Sequence, residues 1–196
     1  MSILYRYGST YYINMTNRCP CRCVFCVRNS TDRLGDAESL WLDHEPTVDE
    51  VMDELRSVDL SASREIVFCG YGEPTERIDD VLETARRIKA EFGKSVRLDT
   101  NGLGNLINGR DIIPEMAGVI DSVSISLNAS DSGEYMEVSR PSFGEAAYPA
   151  VLEFIKECRE MISGVTVSVV GGSISPESEK RCEEMAREMN VRFRVR

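Results

Sequence analysis

The chain has 196 residues, long enough for one packed domain and short for two. Its 42 % apolar and 29 % charged residues exclude a disordered chain, and no stretch is apolar over the length that a bilayer requires. The net charge of −10 excludes general attraction to phosphate backbones or anionic membranes, so a nucleic-acid partner is not supported by charge.

Met1 to Gly8 lack the apolar core of a signal peptide, and a cytoplasmic protein without membrane contact is expected. Leu4 to Tyr7 and Thr10 to Met15 are strand-prone runs around Gly8-Ser9 and predict a hairpin. Residues 16 to 28 then read Thr-Asn-Arg-Cys-Pro-Cys-Arg-Cys-Val-Phe-Cys-Val-Arg. Four of the seven cysteines, Cys19, Cys21, Cys23 and Cys26, fall in this one short segment. In a reducing compartment such a cluster reads as metal-binding rather than as a disulfide framework. Arg18, Arg22, Arg28 and Arg33 surround it, either as solvated charges, as an offset to an anionic cluster or as a docking face for an acidic donor.

Asn29 to Pro46 is polar and without periodicity; it holds the lone Trp41 and the lone His44, which is expected to be exposed and outside any site. Thr47-Val-Asp-Glu50 is a capping box, followed by Val48, Val51, Met52, Leu55 and Val58 at helical spacing. Glu65 to Cys69 is a short buried strand that runs into Gly70-Tyr-Gly-Glu-Pro-Thr75. Ile78, Val81, Leu82, Ala85, Ile88 and Phe92 mark a helix that Gly93 stops. Val96 to Leu98 is a strand ending in Asp99-Thr-Asn-Gly102, and the crossover from Ile107 to Met116, with Pro114 inside it, predicts only a short helix.

Ser122 to Leu127 alternates as a strand and ends in Asn128-Ala-Ser-Asp131. Val151, Phe154, Ile155, Cys158, Met161 and Ile162 line a helix, Gly164 to Val170 a strand, and Ser175-Pro176 caps a helix through Cys182, Met185, Ala186 and Met189. Val191 to Val195 is the last strand. Cys69, Cys158 and Cys182 are expected as core residues. Alternating strands and helices predict an α/β fold, a partial (βα)6 TIM-like barrel of parallel strands preceded by a short N-terminal hairpin, with residues 1–196 as a single domain. The Gly-, Cys- and amide-rich turns all follow strand C-termini, the rim where barrels and open α/β sheets carry their sites.

Four cysteines could close a zinc site, but zinc sites usually take ligand pairs from separate segments, and no second pair is present. Cys19, Cys23 and Cys26 alone give Cys-x3-Cys-x2-Cys with Phe25 before the last thiol, a set of three thiolates that leaves one iron of a cubane open. Together with Gly70 to Thr75 at the next strand end, this pattern resembles the radical S-adenosylmethionine (SAM) superfamily. The wording of the cysteine loop and of Ser-Leu-Asn-Ala is most similar to an uncharacterised group linked to TatD-type nucleases.

The resemblance implies a [4Fe–4S] cluster on Cys19, Cys23 and Cys26, with SAM on the fourth iron. It implies oxygen-sensitive chemistry in which SAM is cleaved reductively to a 5′-deoxyadenosyl radical that abstracts hydrogen from an unidentified substrate. An external one-electron donor, flavodoxin- or ferredoxin-like, would be a partner, and an open barrel could admit a macromolecular substrate. Contacts to SAM would come from Phe25, from Gly70, Tyr71, Gly72 and Glu73, and from Thr100, Asn101, Ser126, Asn128, Arg140 and Val170. Glu73 would meet the methionine amine, Ser126 and Asn128 the hydroxyls, and Arg140 the carboxylate. Cys21 is placed outside the ligand set, because alternation in an extended loop would turn it away from Cys19 and Cys23. Two alternatives are an activase that places a radical on a partner protein and a non-catalytic zinc or iron–sulfur module. No residue acting on the substrate itself is assigned.

Overall fold

The computed structural model describes residues 1–196. Strands β1 (Leu4–Tyr7) and β2 (Thr10–Ile13) form the expected antiparallel hairpin, turned by Gly8 at φ 64°. β3 (Glu65–Phe68), β4 (Ser95–Thr100), β5 (Ser122–Ser126), β6 (Gly164–Val169) and β7 (Arg192–Val195) follow in sequential order, each parallel to the one before. Six parallel strands, β2 to β7, are the partial barrel that the alternation predicts. It stays open, with β1 and β7 as its edges.

The helices form where capping and apolar spacing agree. In α1 (Val48–Arg56) the Thr47 hydroxyl accepts from Glu50 N–H while the Glu50 carboxylate accepts from Thr47 N–H, and Val51, Met52 and Leu55 are buried. α2 (Ile78–Phe92) buries Ile78, Val81, Leu82, Ala85 and Ile88 and stops at Gly93, whose φ of 62° suits a residue without Cβ. The weakly patterned crossover holds two short helices, α3 (Gly104–Asn108) and α4 (Ile113–Met116). α5 (Ser132–Ser139) has no counterpart in the sequence reading, whereas α6 (Ala147–Met161) and α7 (Pro176–Glu188) do. The Ser175 side chain caps α7 by accepting from Ser178 N–H.

Alternation divides the sheet into two unlike faces. Ile13, Phe68, Leu98, Val123 and Val165 stand in one register row and belong to a buried apolar cluster of 41 residues shared with the helices. Each such side chain, fully buried, contributes roughly 1.5–3 kcal/mol. The neighbouring row on the opposite face reads Tyr12, Val67, Arg97 and Ser122, and the next Asp99, Ser124, Thr166 and Arg192. This second face is the polar interior of the open barrel. Cys158 and Cys182 are core residues as expected. Cys69 is not: following Phe68, it falls on the polar face near Asp99 and Arg97, only partly covered, and burial pushes its thiol up to about 12.

A second, smaller core lies under the polar stretch that follows the cysteines. Tyr5, Ala37, Leu40 and Tyr71 pack together. Asn14, fully buried, donates its amide to Leu40 O at 2.7 Å, and Asn17 exchanges hydrogen bonds with Leu42 through both ends of its side-chain amide. The stretch thus needs no helix or strand to be held. His44 is exposed and pairs with Glu50, as far from chemistry as the sequence suggested.

Candidate cofactor site at the strand ends

The cysteine loop leaves β2 and is pinned along its length. Arg22 N–H donates to Ser139 O (3.1 Å), Val24 N–H to Val138 O (2.9 Å) and Ser142 N–H to Pro20 O (2.8 Å), and Cys21 forms an isolated bridge with Pro141. The C-terminal turn of α5 therefore serves as the loop's template. Within the loop Cys26 N–H donates to Cys23 O, and Asn29 Nδ2 donates to the same carbonyl at 3.2 Å. Cys19, Cys23 and Cys26 are left half-buried, within reach of a ligand.

Cys21 corrects the sequence reading. Its side chain does not turn away: it is 3 % exposed, and the Asn101 Nδ2 that lies 3.9 Å from its Sγ lies at the same distance from Cys19 Sγ. The bridge to Pro141 ends the simple alternation on which the expectation rested. The neighbouring Cys21 thiol holds the Cys19 and Cys23 thiols below the usual range, and the closeness of those two, with burial, drives its own far upward. Burial pushes Cys26 upward.

The Gly70-to-Glu73 turn meets this loop by direct backbone approach. A Cβ on Gly72 would lie 2.6 Å from Arg18 O and closer still to Thr16 O, so only glycine fits there. Glu73 N–H donates to Arg18 O at 2.8 Å. The Glu73 carboxylate is buried and fully used: Oε1 accepts from Thr75 N–H, Thr75 Oγ1 and Thr100 Oγ1 (2.7 Å), and Oε2 accepts from Asn101 N–H (2.7 Å). Burial raises its carboxyl, and these four donors oppose the rise. Glu73 thus ties the end of β3 to the end of β4, and its charge is turned into the turn rather than out of it.

The other expected residues divide into two groups. Asn101 lies at the cluster loop, with Nδ2 at 3.9 Å from both Cys19 Sγ and Cys21 Sγ, while its Oδ1 caps Leu103 N–H. Asn128, at φ 65°, donates Nδ2 to Ser139 Oγ at 3.2 Å and leaves Oδ1 buried without a partner. Ser126 Oγ accepts from Arg196 at 3.0 Å, and Phe25 and Val170 are partly buried. Gly70 backs onto the Asn14 amide. Tyr71 and Thr100 are committed elsewhere: the Tyr71 ring stands edge-on to Trp41 at 5.1 Å with its hydroxyl on Thr31 O, and Thr100 Oγ1 is spent on Glu73 and Gly102 N–H. Arg140 donates to Glu137 O and lines a cleft with Pro20, Arg22, Met136, Pro141 and Ser142, which no residue of the Gly70, Asn101 or Asn128 turns enters.

Three residues outside the sequence reading, with one backbone carbonyl, complete the arrangement. Ser139 and Tyr135 of α5 stand behind Asn128 and Cys21, and Asn14 and the Arg18 carbonyl stand under the glycine turn. Asp131-x-x-Glu134, a cap whose Asp accepts from Glu134 N–H, was the visible sign of α5; backbone contacts such as Arg18 O leave no sign. The donor set suits an iron–sulfur cluster: three accessible thiols on one loop, with a side-chain amide 3.9 Å from Cys19 Sγ. The unpartnered Asn128 Oδ1 suits a ligand hydroxyl at the neighbouring strand end.

Comparison with known proteins gives the family. The family model described as Radical SAM superfamily matches residues 13–189. GTP 3′,8-cyclase of Corynebacterium glutamicum is 31 % identical over 137 residues, which is 65 % of this chain and 33 % of that protein. A probable dual-specificity RNA methyltransferase RlmN of Caldanaerobacter subterraneus is 24 % identical over 177 residues, 83 % of this chain and 44 % of its own. The chain thus spans between a third and a half of these curated relatives. Among solved structures, SuiB of Streptococcus suis bound to its precursor peptide SuiA superposes with a TM-score of 0.70 at 19 % identity, over 94 % of this chain and 38 % of SuiB. The chain belongs to the radical SAM superfamily, and its cofactors are that family's [4Fe–4S] cluster and S-adenosylmethionine.

Proposed function

We propose that the chain is the core of a radical SAM enzyme, with Cys19, Cys23 and Cys26 as the cluster ligands and the fourth iron left to SAM. Bound and reduced, the cofactors supply one-electron cleavage of the C5′–S bond, the source of the 5′-deoxyadenosyl radical that takes hydrogen from substrate. The chain's own residues hold and orient. Gly72 lets the turn approach the cysteine loop, Asn101 sets its amide against two sulfurs, and Asn128 Oδ1 is free to accept from a hydroxyl. The hydrogen-bonded unit Arg18–Glu73–Asn101, which joins the cysteine loop to two further strand ends, carries this reading.

The electron donor in this reading is an acidic flavodoxin- or ferredoxin-like protein, and the setting is cytoplasmic, where seven free thiols would stay reduced. No helix is long and apolar enough to cross a membrane. The printed names of the relatives point to GTP, to RNA and to a precursor peptide, so superfamily membership does not choose the substrate.

Anaerobic reconstitution with iron and sulfide, then reduction with SAM present, tests the proposal. A four-iron spectrum with release of methionine and 5′-deoxyadenosine is expected, and loss of both in Cys19→Ala, Cys23→Ala and Cys26→Ala. One rival is a zinc site in which Cys21, whose Sγ shares the Asn101 amide with Cys19 Sγ, is a fourth thiolate ligand. One zinc per chain and no 5′-deoxyadenosine would establish that rival instead.

A further inference from the structure

The polar face of the sheet carries an unusual concentration of unpaired positive charge. Arg192 and Arg194 occupy alternate positions of β7, roughly 6.6 Å apart along the strand, while Phe193 between them packs on the core. Their register partners are Thr166 and Ser168, so both arginines share the face that bears Asp99, Ser124 and Ser126. Arg196 continues the ladder and donates to Ser126 Oγ at 3.0 Å. Across the sheet Arg97 points the same way, held by Glu65 at 2.7 Å and Asp99 at 2.9 Å.

In a chain with 33 acidic and 23 basic residues, most arginines find a carboxylate. Arg192, Arg194 and Arg196 have none within 4.0 Å. Three like charges in a row repel, which favours an anion between them. Arg192 and Arg194 border a cavity of about 410 Å³ whose wall also includes Ser122, Ser124, Thr166 and Arg97, the last with Glu65, the one carboxylate of the lining, bonded to it. The cavity lies at the N-terminal halves of the strands; on the same face Ser124 is followed by Ser126, which accepts from Arg196 and ends β5 two residues before Asn128 at the candidate cofactor site.

We propose that this face receives the substrate through a phosphate-bearing group held by Arg192 and Arg194. A lone carboxylate would occupy one guanidinium, whereas several guanidiniums with hydroxyl donors match a group of two or more negative charges. Taking the face as the substrate wall rests on the radical SAM reading; the anion site itself does not. A local basic face also reconciles an acidic molecule with an anionic substrate.

Calorimetric titration of the anaerobically reconstituted chain tests the assignment, with pyrophosphate, a uridine octanucleotide and succinate as probes. At least one phosphate probe is expected to bind, and to bind more tightly than succinate. The tighter of the two identifies a small phosphorylated compound or an RNA strand as the source. Arg192→Gln with Arg194→Gln should weaken that binding by about tenfold for each guanidinium removed. Both side chains are exposed, so the core is untouched, and Arg187→Gln on the exposed face of α7 should change nothing. Binding unchanged in the double variant, equal loss in Arg187→Gln, preference for succinate or no phosphate binding at all would each overturn it. Iron content and 5′-deoxyadenosine are read on the same samples, so failure of the cofactor reading is seen separately.

Discussion

Gly72 and Cys21 decide the site at the scale of single residues. Gly72 meets two carbonyls of the cysteine loop, both backbone, so neither can swing aside for a methyl group. Gly72→Ala should therefore destabilise the chain by about 1–3 kcal/mol, towards the upper end of what overpacking costs. Denaturant unfolding of the cluster-free chain measures this, and a change of a few tenths of a kcal/mol would mean that the turn and loop do not touch. Cys21 is a buried neighbour of the cluster ligands rather than a ligand in this reading. Cys21→Ala should then keep about four irons per chain on reconstitution while Cys19→Ala does not; iron analysis distinguishes them. The three ligands were legible because their spacing is local. The position of Cys21 was not, because Pro141, a residue 120 positions away, sets it. The Glu73 side chain was likewise legible as important, but its four donors were not, since they come from two strand ends.

At the scale of elements, legibility followed the strength of the local signal. α1, α2, α6 and α7 were readable because an apolar stripe coincides with a cap or a stop. α5 was not: eight residues that include Gly133 bury only Tyr135, Val138 and Ser139, and tertiary contact with the cysteine loop holds the helix in place. The α1 cap gives a prediction with a definite sign. Thr47 N–H and hydroxyl, with His44, hold the exposed Glu50 carboxyl down to about 2. A depressed carboxyl favours the fold above its unfolded range, near pH 4.5, and loses that effect as pH falls towards 2. Wild type should be more heat-stable than Glu50→Gln at pH 6, and the gap in Tm should close progressively between pH 4.5 and pH 2. A gap that persisted at pH 2 would mean that the capping bonds act without the charge. Thr47→Ala removes the reciprocal half of the box and should cost about 1 kcal/mol.

At the scale of the whole molecule the charge is unevenly spread, and this bears on how electrons reach the cluster. The net charge of −10 repels an acidic donor at long range. Around the cysteine loop the sign is reversed. Of its four arginines Arg18 is neutralised by Glu45 and Glu76, but Arg22 and Arg33 have no carboxylate within 4.0 Å, and Arg28 donates only to Cys21 O. Arg140 adds a fourth unpaired guanidinium to the cleft that Arg22 and Pro20 line beside the loop. An acidic flavodoxin would thus be steered to the face nearest the cluster. Charge reversal at Arg22 should slow cluster reduction by such a donor, because rim charges act chiefly on association rate. The same substitution should leave reduction by a small chemical reductant unaltered, since Arg22 contributes its backbone N–H, and not its side chain, to holding the loop. The wild-type rate with flavodoxin should also fall as salt rises from 50 to 300 mM, concentrations at which the Debye length shrinks from about 14 Å to about 6 Å. Stopped-flow measurement of cluster bleaching follows both effects. A rate that rose with salt would show that the overall negative charge dominates the encounter, and docking would then have to be sought on another face.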